Sequence, residues 1–431
     1  MRVLHFAPRV CWPLDTGAKL RNYHLARVLA ARAGVTLLAF DHGETRPAEL
    51  ENPYEQVLTV ERSPGYTLAK ILRGAMGRTP LPLLNYTTQP MKRTLAQTLR
   101  AEHFDVIQIE SIHLMGYLRT IRTARGRGRG RPLVVCDWHN IESELMQRYS
   151  EREPSLPRRI YAQKTARQLR ALERRAMRDF DAHVVVSERD RERLLQLDPA
   201  SSISVIENGV DSAHYSDDAI EAAHAAWLNE SLAERDRAGA NGNSASRRQN
   251  RIVFVGSMDY HANIDGVVEF AREVWPALHA LHEQLVFTIV GRDPADEVRA
   301  LASLPGIEVT GTVADVRPYY REALAAIVPL RVGGGSRLKI LEAMAAGVPV
   351  VSTTLGAEGL QVSHEQDILI ADTNDQLREA VATMAENEAV GRRLREGGRA
   401  LVSSRYDWLR VGESLLKIYE ELLAARPRGK N

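Results

Sequence analysis

Residues 327–351 read IVPLRVGGGSRLKILEAMAAGVPVV and say most about the fold. Their pattern predicts a strand, a glycine loop, a helix and a second strand. Ser336 is a good N-cap, and Gly347 with Pro349 marks the end of the helix. A strand, a helix and a strand in this order are typical of a parallel α/β sheet.

The glycine loop and the helix after it predict a binding site for phosphate. Gly333, Gly334 and Gly335 allow the backbone to approach a ligand closely and to adopt positive φ angles. Arg337 and Lys339 follow in the first helical turn, where the helix dipole favours negative charge. An anion held by the helix N-terminus would remove this conflict and recruit both side chains.

Glu342 lies one turn beyond Lys339 and is placed to accept hydrogen bonds from hydroxyl groups. Recognition of phosphate and hydroxyls together fits a nucleotide sugar. The alternative is an ordinary strand-to-helix turn whose cations face solvent. The loop lacks the G-x-x-x-x-G-K-[ST] pattern of a P-loop, and no G-x-G-x-x-G follows the first strand. A dehydrogenase is therefore disfavoured.

Length and composition exclude several classes of protein. The 431 residues exceed a usual single domain, which predicts two domains. Basic and acidic residues nearly balance, 57 against 55, and this gives no support for nucleic-acid binding. Cys11 and Cys136 are the only cysteines, which suits a reducing compartment. Without a signal peptide or an apolar run of roughly 18 residues, we expect a cytoplasmic protein, with peripheral attachment to the inner membrane as an alternative.

Strand and helix patterns alternate in two series, which predicts two α/β domains with parallel sheets. The predicted strands are 1–7, 35–40, 106–109, 133–136 and 182–186 in the first series, and 203–206, 252–255, 286–290, 307–310, 325–329, 348–352 and 368–370 in the second. We place the boundary near 197–202, so that the domains span 1–198 and 199–405. A final amphipathic helix covers 406–426. Residues 217–250 form a polar insertion that we expect to be partly helical.

Several motifs, taken together, point to a protein family. They are residues 1–22, DWHN at 137–140, VS at 186–187, NGVD at 208–211, FVGSMDY at 254–260, and the helix 338–347 with VPVV at 348–351. This combination closely resembles the retaining glycosyltransferases of family 4. Within that family the chain is most similar to sugar transferases encoded with bacterial exopolysaccharide clusters of the PEP-CTERM type.

The resemblance implies the GT-B fold, in which two Rossmann-like domains face each other across a cleft. The N-terminal domain would bind the acceptor, the C-terminal domain would bind the donor, and the last helix would cross back onto the N-terminal domain. The implied reaction moves a sugar from a UDP- or GDP-sugar to a glycan or lipid-linked acceptor in cell-surface polysaccharide synthesis. No acidic cluster with metal-ligand spacing is evident, so we expect an enzyme without metal or other cofactor.

The resemblance also assigns roles to single residues. Gly17 would let its loop approach the donor phosphates, and His139 would contact the donor sugar, although a histidine after a strand often has a structural role. Glu110 and His113 follow the preceding predicted strand, and because they lie at the same edge we expect them to position the acceptor. The predicted catalytic residues are His139, Arg337 and Lys339. The predicted donor-binding residues are Gly17, Gly256, Ser257, Gly291, Gly334, Gly335, Ser336 and Glu342.

Two features depart from the family pattern. Ser257 stands where many members have an arginine, and no lysine follows it a few residues later, so Arg337 and Lys339 would supply the missing charge. Glu342 matches the glutamate that binds ribose, but Gly334 stands eight residues earlier, where a first glutamate is usual. We expect main-chain N–H groups of the glycine loop to take the place of that carboxylate.

Other interpretations of the chain stay open. A nucleotide-sugar epimerase shares the two-domain architecture, and Gly334 leaves room for a binding protein without catalysis. The stretch 158–178 is strongly basic, with an apolar stripe formed by Ile160, Leu169, Leu172 and Ala176. Most such helices pack on one face and are solvated on the other. The alternative is a face that contacts a membrane.

Overall fold

The computed structural model describes residues 1–62, 67–77, 79–124, 130–238, 250–332 and 337–426. The chain folds into two compact units. The first comprises Met1–Asn208 together with the segment that begins at Trp408, and the second comprises Gly209–Asp407.

The strands, in chain order, are β1 (Arg2–Ala7), β2 (Gly34–Asp41), β3 (Gln56–Glu61), β4 (Val106–Glu110), β5 (Leu133–Trp138), β6 (Ala182–Val185), β7 (Ile203–Val205), β8 (Arg251–Val255), β9 (Val286–Val290), β10 (Ile307–Gly311), β11 (Ala323–Val328), β12 (Val350–Ser352) and β13 (Leu369–Ile370).

The α-helices are α1 (Gly17–Ala30), α2 (Leu68–Met76), α3 (Leu81–Tyr86), α4 (Gln89–Ala101), α5 (Leu118–Thr123), α6 (Glu142–Arg152), α7 (Leu156–Asp179), α8 (Glu188–Leu195), α9 (Asp217–Ala238), α10 (His261–Glu269), α11 (Trp275–Leu281), α12 (Asp296–Arg299), α13 (Arg317–Arg321), α14 (Leu338–Ala345), α15 (Asn374–Glu386), α16 (Glu388–Leu401) and α17 (Trp408–Ala424). Short 3-10 segments are Ile112–Tyr117 and Ala300–Ser303, and short π segments are Phe270–Val274 and Val402–Tyr406.

Over the described residues, the first unit forms one parallel sheet of seven strands in the order β3-β2-β1-β4-β5-β6-β7. Successive side chains of a strand point to opposite faces, so Leu4 and Phe6 enter one core while Val3 and Ala7 enter the other. Helices cover both faces of such a sheet, which is why its strands read as nearly continuous apolar runs.

The first unit extends further along the chain than the sequence analysis places it. Ile203–Val205, predicted to open the second series, pairs in parallel with β6 and joins the first sheet. Its three half-buried residues carry no local signal that says which sheet they join. The sequence pattern does not predict the strand Gln56–Glu61, because this edge strand exposes much of its surface and lacks a buried apolar run.

The last helix, α17, packs against α1 within the first unit. Trp408, Leu415 and Tyr419 are buried in the core that α1 also lines. Gly412 lies at the contact, where a Cβ atom would come within 2.5 Å of Val28 Cβ. Glycine therefore permits a helix-to-helix approach that a side chain at this position would prevent.

The second unit contains a parallel sheet whose strands, within the described ranges, follow the order β10-β9-β8-β11-β12-β13. The prediction of two α/β units with parallel sheets is therefore confirmed. In each sheet the strand order reverses beside the first strand, between β1 and β4 and between β8 and β11. Open α/β sheets bind ligands at the carboxyl ends of the strands at such switch points.

The stretch 327–351 folds as the strand β11, the helix α14 and the strand β12. Gly347 adopts a φ of +68°, the left-handed conformation that ends many helices. Of the helices in the described ranges, none combines the length and the apolarity that a crossing of the bilayer requires.

Candidate functional site

At the carboxyl edge of the first sheet, a carboxylate from one strand meets a histidine from the next. Glu110 ends β4 and is fully buried, and His139 directly follows β5. His139 Nε2 lies 2.6 Å from Glu110 Oε2. The register of the two strands sets Glu110 opposite Asp137, which brings the residues that follow close together. The His139 side chain remains 18% exposed, so the ring contacts both the carboxylate and solvent.

Two further side chains hold Glu110 from inside the unit. Gln108 Nε2 donates to Glu110 Oε1 at 2.6 Å, and His5 Nε2 lies 2.8 Å from the same oxygen. His5 Nδ1 is 3.0 Å from the Tyr54 hydroxyl, and the Tyr419 hydroxyl donates to Gln108 Oε1 at 2.6 Å. A buried polar network thus joins β1, β4 and α17 behind the exposed histidine ring.

Glu110 and His139 shift each other's proton affinity. Burial opposes ionisation of Glu110, but the charges of His5 and His139 outweigh it and hold the pKa of Glu110 below its ordinary value. Burial also disfavours the charged form of His139, yet its hydrogen bond to Glu110 and the charge of that carboxylate raise the pKa of His139 above 6.5. The network therefore favours a protonated His139, which can stabilise negative charge on a bound group.

Asp137, the neighbour of this network, is held by a buried arginine. Arg21 of α1 donates from Nε and Nη2 to the two carboxylate oxygens, each at 3.1 Å, and both side chains are 1% exposed. Arg21 also donates to the carbonyl of Glu207 at 3.0 Å and to Asn208 Oδ1 at 3.3 Å. The bidentate pair ties α1, β5 and the end of the first unit together, which is a structural role.

Glu110, Asp137 and His139 also meet the spacing of metal ligands, with one ligand atom of each within 4.8 Å of the others. This cluster has no local sequence pattern, because its residues come from two strands that only folding brings together. Arg21 occupies both oxygens of Asp137, and a divalent cation would have to displace this buried cation. The set of side chains therefore fits a proton-binding network better than a metal site.

Gly17 is the first residue of α1, at the end of the loop that follows β1. Thr16 precedes it as the N-cap, and its hydroxyl accepts a hydrogen bond from the backbone N–H of Lys19 at 3.4 Å. Since α1 follows β1, its N-terminus lies on the carboxyl side of the sheet, where the prediction requires Gly17 to be.

His113, predicted to position an acceptor together with Glu110, packs in a different way. Its ring stacks on Tyr86, with the ring centroids 6.0 Å apart and the planes 8° from parallel. Burial lowers the pKa of His113 to about 4, so the ring is neutral at pH 7. These contacts give His113 a packing role.

In the second unit, the carboxyl edge of the sheet carries a lysine. Lys339 lies in the first turn of α14 and donates to Asn263 Oδ1 at 2.6 Å. Its ammonium is 4.4 Å from the centre of the Phe254 ring, and a Cβ at Gly256 would lie 3.1 Å from it. The helix α14 thus brings a cation to the end of β8, beside the glycine that follows the strand.

Gly256 and Gly291 follow the neighbouring strands β8 and β9, and their backbones nearly touch. A Cβ at Gly291 would lie 1.8 Å from the carbonyl oxygen of Gly256, so no larger residue fits at 291 without moving the chain. Gly256 N–H donates to the carbonyl of Val290 at 3.0 Å. This packing gives Gly291 a structural role, beside its predicted role as a donor-binding residue.

Arg292 supplies a cation at the turn where the family pattern places one at position 257. Its Nε donates to Ser257 Oγ at 3.0 Å, and that hydroxyl donates to Asp259 Oδ1 at 2.6 Å. Asn263 Nδ2 donates to the carbonyl of Ser257 at 2.8 Å, which fixes the turn. Local sequence patterns do not predict the contact of Arg292 with Ser257, because it joins the ends of two different strands.

Lys339 and Glu342 are half-buried, and the pKa of each is shifted in the direction that favours the neutral form. Burial, with the charge of Arg337 nearby, lowers the pKa of Lys339 to about 7. Burial raises the pKa of Glu342 to about 7, against the charge of Lys339. An anion bound beside Lys339 would favour its charged form and raise its pKa again.

Arg337 does not lie in the first turn of α14, which corrects the sequence analysis. The helix begins at Leu338, and Arg337 holds the N-cap position without a capping hydrogen bond from its side chain. That side chain is 6% exposed, with Nη2 3.5 Å from Glu358 Oε2 and Nε donating to the Glu358 carbonyl at 3.4 Å. A buried guanidinium needs such partners, and they draw Arg337 away from solvent.

Part of the predicted site falls on residues that the structure does not describe. The predicted donor-binding residues outside the described ranges are Gly334, Gly335 and Ser336. Residues 239–249 of the predicted polar insertion also lie outside these ranges, and the part before them belongs to α9.

The chain matches two families of known proteins. Residues 16–214 match the model described as Glycosyltransferase Family 4, and residues 249–387 match the model described as Glycosyl transferases group 1. A glycogen synthase of Mycobacterium tuberculosis is 23% identical over 265 residues, which cover 59% of this chain and 57% of that protein. An uncharacterized 44.6 kDa protein in the cps region of Klebsiella pneumoniae is 23% identical over 174 residues, 38% of this chain and 45% of that protein. The chain thus spans about half the length of the curated relatives it matches.

Solved structures of similar fold cover nearly the whole chain. A sucrose-phosphate synthase from Thermosynechococcus elongatus has a TM-score of 0.65 at 16% identity, over 99% of this chain and 100% of that one. Anabaena HepE in complex with UDP and glucose has a TM-score of 0.63 at 16% identity, over 97% and 99%. WaaG, a glycosyltransferase involved in lipopolysaccharide biosynthesis, has a TM-score of 0.62 at 13% identity, over 96% and 99%. The chain therefore has the GT-B fold, and parts of it match the models of glycosyltransferase family 4 and of the group 1 glycosyl transferases.

Proposed function

We propose that the protein is a retaining glycosyltransferase of the hexosyltransferase type that needs neither metal nor other cofactor. It moves a sugar from a nucleoside-diphosphate sugar to a glycan or lipid-linked acceptor. The observation that carries this proposal is the position of Lys339. Its ammonium lies at the carboxyl edge of a parallel sheet, and the neutral amide of Asn263 and the ring of Phe254 contact it.

An ammonium in these surroundings suits a diphosphate. The group is half-buried and its pKa is lowered to about 7, so a bound anion gains a charge-assisted hydrogen bond and restores the charge of Lys339. Arg292 and Ser257 follow the neighbouring strands and extend the polar surface toward the phosphates. Stabilising a diphosphate that leaves with negative charge is an electrostatic task, and such preorganised cations perform it.

Residues of each unit have further roles in this proposal. Glu342 lies one helical turn beyond Lys339 and accepts hydrogen bonds from ribose hydroxyls. His139, whose contact with Glu110 favours its protonated form, contacts the transferred sugar and stabilises negative charge that develops on the leaving oxygen. Gly17 leaves room for the sugar phosphate at the start of α1.

The comparisons suggest where to look for substrates. The Anabaena structure holds UDP and glucose, so UDP-sugars are the first donors to test and GDP-sugars the second. The Klebsiella relative lies in a cps region, and WaaG is involved in lipopolysaccharide biosynthesis. Both support a role in making exopolysaccharide or another cell-surface polysaccharide.

The proposal is tested in two steps. Calorimetric titration with UDP and GDP measures nucleotide binding, and NMR of the purified product then gives the anomeric configuration of the transferred sugar. Retention of configuration supports the proposal. Inversion contradicts the retaining mechanism, an epimerised donor in the absence of acceptor identifies an epimerase, and binding without product across a panel of acceptors identifies a binding protein.

A further inference from the structure

Exposed large apolar side chains concentrate on three helices of the first unit. Among the described residues, eight of the eleven such side chains lie on α2, α6 and α7. These eight residues, called the apolar patch below, are Ile71, Leu72, Met76, Leu145, Tyr149, Leu156, Ile160 and Tyr161. Large exposed apolar patches on soluble units mark sites of association with proteins or membranes.

The three helices are neighbours in space. The helices α6 and α7 pack on each other as a hairpin with a turn at 153–155. Gln168 of α7 donates to the carbonyls of Gly74 at 3.1 Å and Gly77 at 2.8 Å, which caps the end of α2. Tyr161 precedes Gln168 by seven residues, two helical turns, and so lies on the same side of α7. Met76, 80% exposed, adjoins the capped end of α2.

The exposed apolar side chains differ from the stripe that the sequence predicts. Leu169 and Ala176 are buried in the core of the first unit, and Leu172 packs against that core. They hold α7 on the unit and are not available for another partner. Of the predicted stripe, only Ile160 belongs to the apolar patch, where it is 58% exposed.

The helix α7, which carries three residues of the apolar patch, is basic. The helix α7 carries eight basic residues against two acidic ones, Glu173 and Asp179. Glu173 is buried and bonded to Ser143, and Asp179 pairs with Arg122 and with Arg175 at the C-terminal end of α7. The exposed basic residues of α7 are Arg158, Arg159, Arg167, Arg170, Arg174, Arg175 and Arg178.

We infer that this face of the first unit docks on a bilayer that contains anionic phospholipids. The apolar patch enters the boundary between headgroups and acyl chains, where tyrosines such as Tyr149 and Tyr161 are favoured, and the arginines of α7 bind lipid phosphates. A protein partner would fit the apolar side chains but gives no reason for a run of arginines beside them. The inference adds a place of action to the proposed function and does not depend on it.

Vesicle co-sedimentation tests this docking without donor or acceptor. The parent should bind mixed vesicles of phosphatidylcholine and phosphatidylglycerol more tightly than pure phosphatidylcholine vesicles, and binding should weaken as salt is added. Met76→Ser with Ile160→Ser should reduce binding to mixed vesicles about ten-fold, because two large side chains no longer leave water. Arg158→Glu with Arg159→Glu should reduce it by about 25-fold or more, since each basic residue near an anionic surface contributes about five-fold and the two glutamates add repulsion.

Leu281→Ser is the matched control, because Leu281 is 74% exposed but lies on α11 of the second unit. This variant should bind vesicles like the parent, and all variants should keep the melting temperature of the parent. Equal vesicle binding by the patch variants and the parent overturns the inference. So does a parent that forms dimers by sedimentation equilibrium and loses them, but not vesicle binding, in the Met76→Ser and Ile160→Ser variant. UDP binding, measured separately, reports on the proposed function.

Discussion

Glu110 Oε2 and His139 Nε2 are 2.6 Å apart, although 29 residues separate them in the sequence. The contact exists because β4 and β5 are parallel neighbours whose carboxyl ends meet at one edge. Glu110 is fully buried and His139 is partly exposed, so the two residues have different roles. Glu110 orients the His139 ring and favours its protonated form, and the partly exposed His139 is the residue that a ligand can contact.

Replacing Glu110 with glutamine should lower the pKa of His139, since the hydrogen bond and the charge that raise it are lost. In the parent, the raised pKa of His139 contributes stability that is complete below 6.5 and is lost as the pH rises through the folded value. The lowered pKa of Glu110 contributes stability that is present above 4.5 and is lost as the pH falls. The parent should therefore exceed Glu110→Gln in stability most between pH 4.5 and 6.5, by about 1–3 kcal/mol.

NMR titration of the His139 ring and melting curves across this pH range measure both effects. An unchanged pKa of His139 in Glu110→Gln would show that the carboxylate does not control the ring.

His139→Ala should reduce turnover far more than it lowers the melting temperature, because the ring lies at the exposed end of its network. His183 is the matched control. It is 1% exposed and accepts a hydrogen bond from Trp138 Nε1 at 3.1 Å, so His183→Ala should lower the melting temperature while the folded fraction keeps its turnover. Turnover measured by kinetics and melting temperature measured by calorimetry, in both variants, distinguish a catalytic role of His139 from a structural one. Normal turnover by folded His139→Ala would leave His139 with a structural role only.

Local sequence patterns predict the helices and strands around the site. They do not predict contacts between residues that are far apart in the chain. Gly347 marks the end of α14 because its conformation depends on a few neighbours in the chain. The contact of Arg292 with Ser257 spans 35 residues. The contact of Arg21 with Asp137 spans 116 residues, and neither pair has a local pattern. Strand order and register decide which carboxylate lies beside a buried cation. Strand order and register in turn depend on the packing of the whole sheet.

The same distinction explains the misplaced parts of the prediction. An N-cap serine and a glycine loop gave a start for α14 at Arg337, but the burial of that arginine against Glu358 sets its conformation. Apolar periodicity in α7 identified the side that packs on the core. Periodicity has no means to show that Leu156 and Tyr161 stay exposed, because that depends on what the rest of the unit covers.

Lys339→Ala should weaken binding of UDP by roughly 1–3 kcal/mol, the range for hydrogen bonds to charged groups. Arg337→Ala should weaken it by a similar amount and should also lower the melting temperature, because the contact of Arg337 with Glu358 is lost. Isothermal titration calorimetry with thermal melting separates the two variants. Parent-like affinity in both would reject the phosphate site at the start of α14.

Binding of UDP should weaken as the pH rises from about 7 to about 9. Free Lys339 has a pKa of about 7 and loses its proton in this range, whereas the bound diphosphate favours the charged form. Binding should therefore take up a proton, which calorimetry in two buffers of different ionisation enthalpy detects. Lys339→Met should bind weakly at every pH and lose this proton uptake. Glu342→Gln is the control, and proton uptake should persist in it if Lys339 is the group that titrates.

Activity should survive an excess of chelator. Glu110, Asp137 and His139 have the spacing of metal ligands, but Arg21 already occupies both oxygens of Asp137. Turnover with and without EDTA, together with metal analysis of the purified protein, tests this expectation. A complete loss of turnover that Mg²⁺ or Mn²⁺ restores would contradict it.

Two helical glycines should respond to alanine in opposite ways. Alanine normally stabilises a helix interior by roughly 0.5–1 kcal/mol relative to glycine. Gly391 lies in α16, where the nearest atom to an added Cβ is Pro349 Cγ at 4.0 Å, so Gly391→Ala should raise the melting temperature. Gly412 lies in α17, where an added Cβ would come within 2.5 Å of Val28 Cβ, so Gly412→Ala should lower it. The expected cost of the overpacking is about 1–3 kcal/mol.

Gly412→Ala should also disturb the site, because α17 carries Tyr419 to the buried network. A shift of α17 away from α1 would weaken the 2.6 Å hydrogen bond from the Tyr419 hydroxyl to Gln108, which holds Glu110 in turn. The NMR signal of the His139 ring should therefore change in Gly412→Ala and stay as in the parent in Gly391→Ala. Val28→Ala, added to Gly412→Ala, removes the clashing atoms and should restore part of the stability and the His139 signal. If Gly412→Ala instead raises the melting temperature as Gly391→Ala does, the close packing of α17 on α1 is wrong, and with it the link from this helix to the histidine.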